Sequence, residues 1–553
     1  MMDALKIALA QINPMVGDIA GNSELVRNAR REAAALGADL VVFGELVLCG
    51  YPPEDLVLKG AFQDAVAGAV AELAAETGDG GPGLLLTVPW RDEGLLYNAV
   101  LLLDGGEIAA ARFKHDLPNY GVFDEKRVFA AGPLPGPINF RGIRLGVPIC
   151  EDIWTAEVCE CLVETGAELL LVPNGSPFED GKFDLRLNHA VGRVTETGLP
   201  LTYVNQVGGQ DELVFDGGSF VVNRDCSLAV QMPTFDSGLV VTDWRREGGG
   251  WVCAEGPRMA PHEGLDALYR TITLGLRDYV NKNRFPGVVL GLSGGIDSAL
   301  SAAVAVDALG PERVWCIMLP SKYSSPHSLA DAIACAELLQ CRLDKMTIEP
   351  TVAAFESMLS ELFEGTEADI TEENIQSRAR GMALMAISNK FGHMVLTTGN
   401  KSEMSVGYAT IYGDMCGGFS VLKDVYKITA FELSHWRNQQ KPEDALGPEG
   451  RVIPENTIAK PPSAELRPDQ TDEDSLPPYE TLDDILRCLV EEEMAFADIV
   501  ARGHAAETVQ RIENLLYLAE YKRRQAPPGV KLTARNFGRD RRYPITNGFR
   551  NAR

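Results

Sequence analysis

The 553-residue chain is 45% hydrophobic and 23% charged, the composition of an ordinary soluble protein too long for a single hydrophobic core. Its net charge of −27 argues against nonspecific binding to nucleic acid or to anionic membranes. No apolar run reaches the roughly 18 residues of a membrane span, and eleven cysteines without a Cys-x-x-Cys pair fit neither a disulfide framework nor a zinc site.

The opening MMDALKIALAQI has no basic region and no long apolar core, so no signal peptide is expected. Free thiols then predict a reducing compartment, the cytoplasm. Strands are predicted over 5–11, 39–43, 84–88 and 99–103, with helices over 22–36 and 63–76. A strand over 141–149 is followed by a helix from Glu151. Further strands are predicted over 169–172, 201–205, 217–223 and 238–243. Strands alternating with helices argue for a layered α/β fold across 1–245. The Gly-, Pro- and charge-rich stretch 246–263 reads as a linker. A second α/β domain is predicted over 264–553. Its helix 265–281 leads to the apolar run 288–290, and its later strands lie over 314–318 and 394–398. Helices are predicted over 328–339, 350–363, 374–390, 425–436 and 505–522, a doubly wound parallel sheet with ligands at the strand ends. The Pro- and Asp-rich stretch 458–478 reads as a mobile loop. The segment 522–553 carries ten Lys/Arg and one Asp, a local basic strip in an acidic chain.

The strongest chemical signal is GLSGGIDS at 291–298, between that apolar run and a helix predicted over 298–307. Adjacent glycines let successive N–H groups point at one anion, and the helix N-terminus adds positive potential. Ser293 and Ser298 offer hydroxyls, and Asp297 a carboxylate for Mg²⁺ between phosphates. No Lys follows the glycines, so this is not the Gly-x-x-x-x-Gly-Lys-Ser/Thr loop. The run resembles the pyrophosphate loop of N-type ATP pyrophosphatases. That likeness implies ATP contacts from Gly291, Leu292, Ser293, Gly294, Gly295, Ile296, Asp297 and Ser298.

In the first domain, Glu45 follows DLVVFG, Lys114 lies in ARFKHDLPNYGVFDE, and Cys150 ends IRLGVPIC ahead of the predicted helix. A cysteine there is expected to gain thiolate character from the helix end. A carboxylate can take its proton and an ammonium can stabilise an oxyanion. Cys49, near Glu45, reads as a packing residue.

The segments FGELVLCGYPPEDL, KHDLPNYGVFDEKR and VPICEDIW resemble the nitrilase-like glutamine amidotransferase family over about residues 4–245. The resemblance implies an αββα sandwich, Glu45 as general base, Lys114 as oxyanion stabiliser and Cys150 as nucleophile. It also places glutamine against Tyr120, Ser176 and Lys182. Together with LTTGNKSEMSVGYATIYGDMCGGFSVLKDVYK and YKRRQAPPGVKLTARNFGRDRRYPITNGF, nearly the whole chain resembles the glutamine-dependent NAD⁺ synthetase family. That implies adenylation of deamido-NAD⁺ by ATP, then displacement of AMP by ammonia from glutamine. Thr398 is implied as an ATP contact, Asn374, Glu403 and Lys522 as deamido-NAD⁺ contacts, and Asp297 and Glu403 as Mg²⁺ ligands. Asp414 and Lys423 are candidates for the nicotinate end. A homo-oligomer and a dry conduit for neutral ammonia are also implied. Two alternatives remain: another ATP-dependent amide-forming or thiolating ligase, and a non-catalytic scaffold with a nucleotide sensor. The acidic charge and the nitrilase-like first domain weigh against the former; the latter makes Cys150 and Asp297 incidental.

Overall fold

The structure is a computed structural model that describes residues 3–468 and 470–548. Met1, Met2, Asp469 of the stretch 458–478 and the last five residues of the basic strip lie outside the described residues. The chain forms two compact units, Met1–Glu263 and Gly264–Arg553.

The first unit is built on two sheets. The larger has seven strands in the order Gly250–Cys253, Gly238–Glu247, Ala4–Gln11, Leu40–Phe43, Gly83–Asp92, Leu95–Asp104 and Glu107–Phe113. The smaller has six, in the order Leu228–Gln231, Phe220–Val222, Leu201–Asn205, Leu169–Asn174, Ile143–Gly146 and Ile138–Phe140. Side chains alternate along each strand, so each sheet has two apolar faces. Leu5, Ile7 and Leu9 share one core with Leu169, Leu171 and Val221 of the other sheet. Ala8 and Ala10 face a different core, with Val26, Val66 and Val70 from the helices Ile19–Ala35 and Gly60–Glu76. Leu170 and Val172 pack under the helices Glu157–Glu164 and Lys182–Thr197. The result is the αββα sandwich expected from the resemblance.

Four local expectations are corrected. Of the predicted strand 141–149 only Ile143–Gly146 is strand, because Arg141 and Gly142 both have positive φ and form the turn of a hairpin with Ile138–Phe140. The helix predicted from Glu151 is a four-residue 3₁₀ turn, Cys150–Ile153, with the α-helix starting only at Glu157. The stretch 246–263, read as a linker, completes one strand and forms the next, pairing Trp244 with Cys253 and Glu247 with Gly250. The stretch 458–478 is packed: Glu465 accepts hydrogen bonds from Ser325 N–H (3.1 Å) and Oγ (2.9 Å) and from Ser328 Oγ (2.7 Å). Lys460 also reaches Asp331 Oδ2 at 2.9 Å. Its Pro and Asp content limits regular structure there to the end of the helix Glu455–Ala459 and the 3₁₀ turn Asp472–Asp474, but does not prevent docking through polar side chains.

The second unit has five parallel strands in the order Arg342–Lys345, Val314–Met318, Val288–Gly291, Met394–Thr397 and Phe419–Ser420. The chain runs outward from Val288–Gly291 to one edge, then returns to its other side. The topological switch point, where doubly wound sheets bind ligands, is therefore at the end of Val288–Gly291. No helix among the described residues is long and apolar enough to cross a membrane.

Candidate active sites

In the first unit, polar groups gather just beyond the ends of four strands, with Asn98 inside a fifth. Glu45 follows Leu40–Phe43, Asn98 lies on Leu95–Asp104, Lys114 follows Glu107–Phe113, and Gly175 follows Leu169–Asn174. Cys150 lies just past Ile143–Gly146, in the left-handed region at φ 48°. A non-glycine residue held there costs on the order of 1–3 kcal/mol, and such strain gathers where a side chain must be aimed.

Lys114 is fully buried. Its Nζ donates to Glu45 Oε1 at 2.6 Å and to Glu125 Oε1 at 2.9 Å. Burial opposes its charge, but Glu125 and Glu45 together hold the ammonium well above the usual lysine range. Glu45 is equally buried and also accepts from Asn98 Nδ2 at 2.7 Å and Gly175 N–H at 3.1 Å. Glu125 takes Tyr51 OH at 2.8 Å. Burial pushes the Glu125 carboxyl up to about 7 against the pull of Lys114. Burial and the Glu45 carboxylate push the Cys150 thiol well above its usual value, while Lys114 and the Gly175 N–H oppose them. The expected thiolate bias from a helix end is therefore corrected: the turn after Cys150 is too short to supply it, and burial beside Glu45 disfavours the thiolate.

The three residues expected to hold glutamine lie around this cluster. Tyr120, half exposed, donates to Glu151 Oε1 at 2.9 Å, next to Cys150. Phe123 packs edge-on to Tyr120 (5.6 Å), and Lys182 Nζ sits 5.8 Å over the same ring. Ser176 is buried; its Oγ accepts from Arg186 Nε at 3.0 Å, and Arg186 is clamped on Asp216 at 2.8 Å. Glu125, Asn98, Arg186 and Asp152 escaped the sequence reading. Each is a common polar residue whose meaning comes from partners on other elements, which no local pattern announces. Cys49 is fully buried in an apolar core, as a packing residue should be.

In the second unit, a cavity of about 410 Å³ opens at the switch point. Gly291, Leu292, Ser293, Gly295, Ile296, Asp297 and Ser298 line it, as do Thr398, Asn374, Glu403, Lys522 and Asp414. Lys423 lies instead on a small neighbouring void. Gly294 sits behind the loop at φ 85°, and a Cβ there would meet Ser328 O at 2.2 Å. Ser293 Oγ and Ser298 Oγ are 3.0 Å apart, and Gly295 N–H donates to Ser293 Oγ at 3.2 Å, so the hydroxyls brace the turn. The 14-residue helix Ile296–Leu309 starts behind it.

Lys427, absent from the sequence reading, organises the acids of this cavity. Its Nζ donates to Asp297 Oδ2 and, at 3.2 Å, to Glu403 Oε1. Burial opposes its charge, but the two carboxylates hold it protonated, above the usual range. Asn400 Nδ2 donates to Asp297 Oδ1 at 2.9 Å. Burial pushes the Glu403 carboxyl up to about 8 despite Lys427. Asp472 Oδ1 faces the same group, buried and without a hydrogen-bond partner. Lys522 Nζ donates to Gly407 O and Ala409 O, both at 2.7 Å, and Thr410 Oγ1 donates to Asn374 Oδ1 at 2.8 Å. Among the described residues no group of three or more His, Cys, Asp or Glu is arranged to hold a metal ion.

Gly294→Ala is expected to strip ATP-dependent turnover while sparing the first unit. The left-handed backbone alone costs about 1–2 kcal/mol for a residue with a Cβ, and the clash with Ser328 adds to it. The check is pyrophosphate release against ATP concentration; a variant with the parent's curve contradicts the crowding.

The carbon-nitrogen hydrolase family matches residues 6–250, and the NAD synthase family matches residues 268–526. A glutamine-dependent NAD(+) synthetase of Rhodobacter capsulatus is 52% identical over 551 residues, covering 100% of both chains. The enzyme of that name from Xanthomonas campestris pv. campestris (strain 8004) is 46% identical, covering 99% of this chain and 98% of its own. A solved glutamine-dependent NAD+ synthetase from Acinetobacter baumannii, in complex with adenosine diphosphate, is 41% identical, covers 100% of each chain and gives a TM-score of 0.78. With this identity sustained from end to end, and with both family matches in the same order, the chain belongs to the glutamine-dependent NAD(+) synthetase family.

Proposed function

We propose that this chain hydrolyses glutamine to glutamate and ammonia in its first unit and spends ATP in its second to convert deamido-NAD⁺ into NAD⁺, AMP and pyrophosphate. It is then a carbon–nitrogen ligase with glutamine as amide donor. The observation that carries the reading is the cluster in which Glu45, Lys114 and the strained Cys150 share one buried site. A scaffold has no use for a buried ammonium shared by two carboxylates beside a thiol, which is costly unless its charge is needed.

In the glutaminase step, Glu45 takes the Cys150 proton as the sulfur attacks the amide carbon. Lys114 stabilises the oxyanion, Glu45 passes the thiol proton to the amide nitrogen, and ammonia leaves as the intermediate collapses to the thioester. Water, activated by Glu45, then cleaves the thioester. Tyr120, Ser176 and Lys182 hold the amino-acid end of glutamine. In the synthetase step, the nicotinate carboxylate attacks the α-phosphorus of ATP and pyrophosphate departs. Ammonia attacks the acyl adenylate and releases AMP. The loop 291–298 cradles phosphate with its N–H groups, with Thr398 beside it. Asn374, Glu403 and Lys522 bind deamido-NAD⁺.

Asp297 and Glu403 are two hard carboxylate ligands that would hold a Mg²⁺ ion brought in with ATP. Bound with ATP, the ion would neutralise phosphate charge. Lys427 holds the same two carboxylates in place meanwhile. Eleven free cysteines suit the reducing cytoplasm, and the resemblance to the family implies a homo-oligomer.

The test is one mixture of purified protein, ATP, Mg²⁺, deamido-NAD⁺ and glutamine, read for NAD⁺ and glutamate together. Both must appear. Pyrophosphate with no NAD⁺ would favour a different acyl acceptor, and ATP binding without pyrophosphate would favour a nucleotide sensor.

A further inference from the structure

We infer that Asp152 is a positioning residue for the glutaminase reaction, its carboxylate fixing the Cys150 nucleophile relative to the Lys114 ammonium. This rests on the glutaminase reading of Cys150.

Cys150 and Lys114 come from different sheets. Cys150 follows the six-stranded sheet and Lys114 the seven-stranded one. The backbone of Lys114 is tied back to its own side: its N–H donates to Asn98 O and its O accepts from Gly132 N–H, both at 2.8 Å. Asp152 spans the gap. It is 1% exposed. Its Oδ1 accepts from the N–H groups of His115 (3.1 Å) and Asp116 (2.7 Å), the two residues after Lys114. Its Oδ2 accepts from Ile149 N–H at 2.9 Å, the residue before Cys150. One buried carboxylate thus takes three backbone donors, two from the lysine segment and one from the cysteine turn. Charge-assisted bonds of this kind are short and directional.

The same bond to Ile149 bears on the turn itself. Cys150 sits at φ 48°, a conformation that relaxes unless its neighbours over-determine it. Asp152 N–H also donates to Ile149 O at 3.1 Å, so the residue preceding the nucleophile is gripped at both backbone groups by Asp152. The oxyanion forms at the carbon that sulfur attacks, so it lands near the Lys114 Nζ only if the two segments keep their spacing. A displacement of about 1 Å between reacting groups can cost on the order of a hundredfold in rate. The carboxylate of Asp152 accepts from residues 115, 116 and 149, none of them the Tyr120, Ser176 and Lys182 proposed to hold glutamine.

The test uses the full-length protein with Asp152→Asn and Asp152→Glu. The amide of Asn keeps one acceptor and turns an NH₂ toward a backbone N–H. Glu keeps the charge and moves it by one methylene. Both variants should lose about ten- to hundredfold in kcat for glutamine hydrolysis with KM for glutamine unchanged. Ammonium-driven NAD⁺ formation should be unchanged. Alkylation of Cys150 by iodoacetamide, which needs the thiolate but no oxyanion stabilisation, should fall far less than kcat, because Lys114 acts on it only through the ionisation of the thiol. Unchanged kcat in both variants, a rise in KM alone, or loss of alkylation along with kcat would each overturn the positioning role. If the parent protein itself failed to hydrolyse glutamine, the glutaminase reading would fall instead, so the two failures are distinguishable.

Discussion

Cys150→Ala is expected to abolish glutamine-driven NAD⁺ formation, by on the order of 10⁴-fold or more, and to leave ammonium-driven formation intact. Removing a covalent nucleophile leaves no group able to form the thioester, and such losses approach the whole catalytic effect. Alanine fits the site sterically, and losing a thiol that burial keeps protonated leaves no buried charge unpaired. The phosphate loop belongs to the other unit, 141 residues or more along the chain, and its bonds do not involve Cys150. Ammonium rescue should strengthen as pH rises, because only neutral ammonia attacks the adenylate. Glu45→Ala and Lys114→Ala should divide the two activities in the same way. Retained glutamine-driven activity in Cys150→Ala would move the nucleophile elsewhere. Loss of both activities in a variant shown to be folded would contradict a two-site chain.

Asp297→Asn is expected to lower NAD⁺ formation about 10²- to 10³-fold with either nitrogen source. The substitution keeps the shape, and Asn400 can still reach the side chain, but the charge facing Lys427 is gone. Loss of a ligand to a phosphate-bound metal is worth several kcal/mol, and each 1.36 kcal/mol is tenfold. Lys427 would then have Glu403 as its one carboxylate partner at the loop. Glutamine hydrolysis should remain measurable, since Asp297 belongs to the second unit and the glutaminase residues to the first. Near-normal synthesis by this variant would remove Asp297 from the ATP chemistry.

Local apolar runs made much of the fold readable from sequence. LTYVN and VWCIM form the strands Leu201–Asn205 and Val314–Met318, matching the predicted 201–205 and 314–318. The strand Glu107–Phe113 was missed because EIAAARF is alanine-rich, of low β-propensity, and stabilised only by its pairing with Leu95–Asp104. The helix Lys182–Thr197 was missed because charged and apolar residues mix along it with a Gly inside. It is tertiary packing of Ala190 and Val194 that fixes it. The predicted strand 141–149 began inside the turn at Arg141-Gly142, because the first hairpin strand, Ile138–Phe140, is three residues long and carries too little pattern to be seen.

The sites divide along the same line. The loop 291–298 is legible because glycines, hydroxyls and carboxylate act within eight consecutive residues. Glu45, Lys114 and Cys150 were legible only through the segments around them. Lys427 was invisible because its partner Asp297 is 130 residues away and its own helix carries no signature. Asp152 was overlooked for a related reason: an acid two residues past a cysteine looks like helix capping until its acceptors are seen to hold residues 115 and 116.

The most direct measurement follows one atom. The protein is given ATP, Mg²⁺, deamido-NAD⁺ and glutamine labelled with heavy nitrogen in its side-chain amide. The expected result is NAD⁺ carrying the label in its carboxamide, with glutamate formed alongside it. Glutamate without NAD⁺, or NAD⁺ made from glutamine without the label, would contradict the account that this chain moves the amide nitrogen from glutamine into the dinucleotide.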